Sequence, residues 1–228
     1  QSGSFGAILM KTPEVITDCL KAMQDAVDIP VTVKTRIGVD DLDDFEYTKK
    51  IVQSVYITGS RHIILHARKA WLNGLSPKEN RTVPPLDYAR VYALKEVFPD
   101  LAITINGGIL TIDDCLEQLQ RVEGRAEGRA EGRAIMDNPY LLASVDSKIY
   151  GVDEEVKSRD EIFESLMDFA QKFVSEGNKL HYLGNHIINF FNGCKGARRF
   201  RNYLSCHMHE LGAGTEVLRE AYKRMKEA

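Results

Sequence analysis

The sequence predicts an α/β chain in two parts: a parallel-sheet region over residues 1–151 and an all-α region over 152–228. Three observations carry this. Short apolar strands alternate with amphipathic helices in the first part, no strand pattern follows residue 152, and every strand ends in polar residues. Such alternation implies parallel strands joined by crossover helices, and a sheet covered on both faces.

KTPEVITDCLKAMQDAV reads as the first helix, with Thr12 as N-cap and Pro13 at the first helical position, where its missing N–H costs nothing. Val15, Ile16, Leu20, Met23 and Val27 form its apolar stripe. IPVTVKTRIG (29–38) is a β-rich run, DDFEYTKKIVQSVY a helix and HIILHA (62–67) a second strand. LDYARVYALKEVF is a helix, LAITIN (101–106) a third strand and TIDDCLEQLQ a helix, which completes βαβαβα. KIYGVDEEV marks the expected boundary. Beyond it RDEIFESLMDFAQKFVSEG, KLHYLGNHIINFFNG, ARRFRNYLSCHMHELG and TEVLREAYKRMKEA all carry helical stripes.

EGRAEGRAEGRA (123–134) fits neither pattern. No common solenoid has a four-residue period. As a helix it would carry a glycine every turn, each costing roughly 1 kcal/mol against alanine. As a strand it would have no large apolar side chain to bury. It reads as a flexible loop or a repeat expansion.

The 228 residues are 43% hydrophobic, enough for a sizeable core, and the net charge is −3. A nucleic-acid site would therefore be a local patch. Cys19, Cys115, Cys194 and Cys206 show no CxxC spacing, which points to neither a disulfide scaffold nor a metal site, and to a cytoplasmic, reducing setting. No apolar run approaches the roughly 20 residues of a membrane span, so no membrane partner is expected. The opening QSGSFGAILM has no initiating Met and no signal-peptide pattern, and it reads as the interior of a longer protein.

Chemistry concentrates at the strand tips: Lys34-Thr35-Arg36, His66-Ala67-Arg68-Lys69 and Asn106-Gly107-Gly108. Parallel α/β folds bind ligands at the carboxyl ends of their strands. Paired glycines there would let backbone N–H groups approach an anion. The absence of GxGxxG disfavours a dinucleotide fold. Each tip alone has a plainer reading, as a tight turn, a surface lysine or a core histidine. Their convergence favours a ligand site. HARKAWLNGLSPKENR (66–81) is a long excursion holding Arg68, Lys69, Lys78 and Arg81 against Glu79, with the chain's one tryptophan, Trp71. A basic loop with an aromatic suits phosphates and a stacked base; its alternative is a solvated loop anchored by a buried Trp. In the helical region, Gly177 to His209 contains no Asp or Glu but has Lys179, Lys195, Arg198, Arg199 and Arg201. Residues 152–228 as a whole hold twelve basic and twelve acidic side chains, so the charge is segregated. A one-sided basic face is a footprint of nucleic-acid binding. Arg198 and Arg201 share one side of a helix whose Phe200 and Leu204 point inward.

VTVKTRIGVDD, HARKAWLNGLSPKENR, INGGI and GRAIMDNP together resemble the tRNA-dihydrouridine synthases, specifically the A branch acting at positions 20 and 20a. The resemblance runs the length of the chain, broken only at the EGRA repeat. It implies a flavin-binding TIM (β/α)8 barrel, here partial and lacking its first strands, followed by a helical tRNA-binding domain. It implies FMN as cofactor and NADPH as electron donor, with reduction of uridine to 5,6-dihydrouridine in the D-loop of tRNA by a monomeric enzyme. By the same resemblance Lys34 and His66 lie against the flavin, Asn106, Gly107 and Gly108 hold its phosphate, and Gly132-Arg133 match the glycine–arginine pair after the last strand. Lys78 and Arg81 match tRNA-contacting loop positions, and Arg198 and Arg201 match tRNA-gripping positions of the helical domain.

The family's catalytic cysteine would lie upstream of Gln1, and none of the four cysteines present takes its place. The chain alone is thus expected to be an inactive fragment. Two alternatives remain open: a non-catalytic RNA-binding remnant, and a flavin barrel reducing a small pyrimidine.

Overall fold

The structure is a computed structural model and describes residues 5–121 and 132–228. The EGRA repeat falls almost wholly outside these residues. The chain divides into two units, Gln1–Glu131 and Gly132–Ala228.

In the first unit the elements are α1 (Pro13–Ala26), β1 (Val33–Arg36), α2 (Phe45–Tyr56), β2 (His62–His66), α3 (Tyr88–Val97), β3 (Ala102–Asn106) and α4 (Ile112–Arg121). Pro13 opens α1 as expected, but Thr12 does not cap it with its side chain. Its hydroxyl turns back to the Leu9 carbonyl at 3.5 Å and closes the preceding 3-10 turn, Gly6–Lys11. The later helices start on acidic caps. Asp44 accepts from the Tyr47 N–H at 2.7 Å and Asp87 from the Arg90 N–H at 3.0 Å. Each satisfies one of the amides that a helix start leaves unpaired. At α4, Asp114 accepts from the Thr111 N–H at 2.9 Å while its own N–H donates to the Thr111 hydroxyl at 3.0 Å.

The strands form a parallel sheet in the order β1-β2-β3, with Arg36 beside His66 and His66 beside Asn106. Side chains alternate along a strand, so register assigns the two faces. Ile63, Leu65, Ile103 and Ile105 share one face and are fully buried. Lys34, Arg36, His62, Ile64, His66, Thr104 and Asn106 share the other. That second face is not the apolar, helix-covered surface that continuous strands led one to expect. Lys34 is exposed, and Arg36, His62, Ile64 and Asn106 are half-buried. Apart from Ile64, the residues on this face are polar or small, and they fall together because all three strands are in step.

The second unit contains α5 (Gly132–Asp137), α6 (Val145–Lys148), α7 (Arg159–Ser175), α8 (Leu180–Ile187), α9 (Ala197–His207) and α10 (Thr215–Lys226). Ser158 and Glu161 form a reciprocal cap at the start of α7. The core is aromatic. Phe163 stacks on Tyr222 at 4.5 Å between centroids, and Phe191 meets Phe200 edge-on at 5.0 Å. Phe200 and Leu204 are fully buried, as their spacing predicted. This unit begins ahead of the expected boundary at residue 152 because α5 and the turn after it pack on the helices. Asn189 and Asn192 donate to the carbonyls of Met136 and Asp137 at 2.9 and 3.0 Å, and Tyr140 lies edge-on to Phe190 at 6.1 Å. Gly196, at φ +78°, lets α9 meet the end of α10. A Cβ there would run into the Met225 carbonyl.

Candidate functional site

The carboxyl ends of β1, β2 and β3 bring the sequence-predicted tip residues together. Lys34 reaches across β2 and donates to the Asn106 side-chain oxygen at 2.7 Å. His66 is buried, 8% exposed, against the turn after β3. Gly107 and Gly108 adopt φ values of +113° and +73°, which disfavour side chains. A Cβ on Gly107 would lie 2.6 Å from the His66 ring, and one on Gly108 2.5 Å from Leu86 and 2.9 Å from the Tyr88 hydroxyl. The Tyr88 hydroxyl also donates to the Gly107 carbonyl. The close approach that demands glycine here is thus made by the protein's own side chains, where the sequence suggested an incoming anion. Lower on the same face, His62 and Thr104 share a hydrogen bond of 2.7 Å. His62 and His66 lie four residues apart on a strand and so share a face, the one signal in the sequence that could have found this pair.

The excursion 66–81 sorts its four cations into two kinds. Arg68 donates to the Pro84 carbonyl. Lys69 pairs with Asp43 at 2.8 Å and sits 4.2 Å above the Trp71 ring. Both are consumed in holding the loop. Lys78 and Arg81 are exposed and, among the described residues, have no ion-pair partner. Trp71 is half-buried, less than a loop anchored by a buried Trp would require. Arg36 is the residue whose part here was not foreseen: it donates to the carbonyls of Lys69 at 2.9 Å and Asn80 at 2.7 Å. Burial, then the charges of Arg68 and Arg81, holds its guanidinium below the ordinary value. Asp40 is held below the usual carboxylate range by its hydrogen bond to Lys11, then by the Leu72 N–H, opposed by partial burial. Those contacts span 2.7 and 2.9 Å.

In the helical unit, Arg198 is exposed and has no ion pair among the described residues. Arg201 is half-buried and donates to the Asn192 side chain at 3.3 Å. Arg199 donates to the Glu227 carbonyl at 3.0 Å and so satisfies the end of α10. These arginines line a surface hollow of about 650 Å³ together with Asn192, Cys194 and Asn202. Gly132-Arg133 open α5, and the Arg133 side chain lies outside the described residues. Cys19, Cys115 and Cys206 sit on α1, α4 and α9, and Cys194 lies just before α9, so none occupies a strand tip. Among the described residues no cluster of three or more His, Cys, Asp or Glu is placed to hold a metal, and no helix is long and apolar enough to cross a membrane.

The family model described as Dihydrouridine synthase (Dus) matches residues 1–227. The tRNA-dihydrouridine(20/20a) synthase of Shewanella oneidensis is 45% identical over 226 residues, which cover 99% of this chain and 66% of that protein. The protein of the same name from Pasteurella multocida is 46% identical over 97% of this chain and 66% of its own length. That from Vibrio cholerae is 42% identical over 99% of this chain and 68% of its own length. The chain thus spans about two thirds of the length of these curated relatives. A family match from residue 1 to residue 227, on a chain whose parallel strands gather lysine, histidine and paired glycines at one end, leads to one conclusion: the chain belongs to the dihydrouridine synthase family.

Proposed function

We propose that this chain carries the cofactor-facing and RNA-facing parts of an enzyme that reduces uridine to 5,6-dihydrouridine in the D-loop of tRNA, at the 20/20a positions. The observation supporting this most directly is the gathering of Lys34, His66, Asn106 and Gly107 at one end of one sheet face. That donor set fits FMN, since a lysine and an imidazole suit a ring that gains negative charge on reduction and a glycine turn suits its phosphate tail. When bound, FMN supplies hydride chemistry, with NADPH as the electron source. The protein supplies position and charge. Asn106 holds the Lys34 ammonium over the sheet, and the glycines let His66 sit against the turn. Asn106, Gly107 and Gly108 are the residues for the phosphate end. The partial (β/α)8 barrel and the helical tRNA-binding region belong to the same reading.

Lys78 and Arg81, which the loop does not consume, together with Arg198 and Arg201, would take tRNA phosphates. The reacting uracil must leave its stack to reach a cofactor on the sheet. A groove neutralising several phosphates binds with steep salt dependence.

FMN titration followed by flavin fluorescence tests the cofactor half. Lys34→Ala is expected to weaken binding at least about tenfold, the scale of one lost charge-assisted hydrogen bond. A chain that takes up no FMN, or binds it equally well without Lys34, would count decisively against the proposal. Gel-shift titration with tRNA tests the other half, with Arg198→Ala/Arg201→Ala expected to abolish retention.

A further inference from the structure

The excursion 66–81 is closed on itself by one side chain. Asn80 accepts the Trp71 N–H on its amide oxygen at 2.8 Å and donates its amide nitrogen to the Trp71 carbonyl at 2.8 Å. A single side chain thus satisfies both backbone groups of one residue, as a neighbouring strand would. The same nitrogen lies 3.4 Å from the Leu75 carbonyl. Between them, Ser76 donates its N–H to the Glu79 carboxylate at 2.8 Å and accepts the Glu79 N–H at 3.2 Å, which starts the turn Glu79–Arg81. Arg36, at the tip of β1, ties this ring to the sheet by donating to the carbonyls of Lys69 and Asn80 at the ring's two ends. The two cations this ring leaves uncommitted, Lys78 and Arg81, flank or lie within that turn.

A loop of this length without secondary structure would ordinarily be ordered only when its ligand binds, at a cost in affinity. Here the ordering is done beforehand, by polar contacts made to backbone carbonyls and amides. We infer that Asn80, anchored through Arg36, is a positioning residue that presets the 69–81 loop so that Lys78 and Arg81 meet RNA phosphates in a fixed arrangement. This rests on the reading of Lys78 and Arg81 as phosphate contacts.

The test uses the 228-residue chain, in which Trp71 is the sole tryptophan and therefore reports the ring directly. Asn80→Ala removes both contacts to Trp71; Asn80→Asp keeps the acceptor and loses the donor. Asn80→Ala is expected to red-shift Trp71 emission, to weaken tRNA binding about tenfold, and to lower the salt slope of binding by about 2, the number of phosphate contacts released. Asn80→Asp is expected to fall between parent and Asn80→Ala. FMN affinity is expected to match the parent in both, which also verifies that the variants fold. Adding Asn80→Ala to Lys78→Ala/Arg81→Ala is expected to cost no further tRNA affinity, because the residue acts through those cations. If Lys78→Ala/Arg81→Ala weakens binding while Asn80→Ala shifts Trp71 emission and leaves the salt slope intact, the positioning role is overturned. If Lys78→Ala/Arg81→Ala itself leaves tRNA affinity unchanged, the phosphate-contact reading falls and the positioning role with it.

Discussion

The two units are held in order by different means, and each leaves a few cations uncommitted. In the α/β unit the basic side chains around the strand tips work as cross-links, Lys34 to Asn106, Arg36 to two carbonyls, Arg68 to Pro84 and Lys69 to Asp43, and Lys78 and Arg81 are left over. In the helical unit the order comes from stacked aromatic rings, and Arg198 extends into solvent with no such duty. A parallel sheet with a polar face has no apolar layer to hold its loops on that side, so hydrogen bonds to backbone do the holding. A helical bundle with a full core can leave its surface charges uncommitted. Counting basic residues would treat the two stretches alike. Lys78, Arg81 and Arg198, left outside the internal network, can meet a phosphate without giving up a contact, whereas Arg201 would trade its bond to Asn192.

The sharpest way to break this contrast is to remove an aromatic from the helical core. Phe200→Ala, at a site fully buried against Phe163 and Phe191, is expected to cost about 3–5 kcal/mol by denaturant unfolding. Trp71 emission, which reports the other unit, should stay at its parent value under native conditions. The α/β counterpart is Gly107→Ala. Its Cβ would strike the His66 ring at a backbone angle of +113°, and strain plus overpacking is expected to cost about 2–3 kcal/mol.

A smaller effect separates committed from uncommitted arginines. Arg198→Ala should lower the salt slope of tRNA binding by about 1 with little change in stability. Arg199→Ala should do the reverse, with a loss of about 1 kcal/mol or less in stability, because its hydrogen bond to Glu227 caps α10. A salt slope that responds equally to both would erase the contrast.

The smallest effect is in pH. The Asp40 pKa is lowered in the folded chain, chiefly by Lys11 and then by the Leu72 N–H. Its contribution to stability is therefore fully present above the unfolded value, about 3.9, and is lost as pH falls through the lower folded value. Asp40 is partly exposed, which caps the contribution at about 1 kcal/mol. Asp40→Asn should flatten that part of the acid unfolding curve, and an unchanged curve would show that the Lys11 pair contributes nothing.

Much of the fold was legible before any coordinates. The helices α1, α2 and α7 to α10 and the three β-rich runs lie where their periodicity placed them, because a period of 3.6 or 2 is a property of the backbone and its near neighbours. The α1 stripe itself fails as a core face, since Leu20 is buried but Val15, Met23 and Val27 are exposed. Legible too was the cluster at the strand ends, since parallel strands put all their carboxyl ends on one side. Less legible was Thr12, whose hydroxyl chose the preceding turn over the helix it precedes. The start of the helical unit was less legible, because α5 carries no long stripe and is recruited by Asn189 and Asn192, more than fifty positions away.

Local spacing, then, was enough to establish the elements, the parallel direction of the strands, and which residue types would gather at their tips. It could not say that Lys34 spans two strands to Asn106, that His66 fills the room left by Gly107, or that Asn80 and Arg36 close the basic loop. Each of those depends on hydrogen-bond geometry between groups from different segments, where a fraction of an ångström separates a bond from none. Such distances exist only once the segments are packed together.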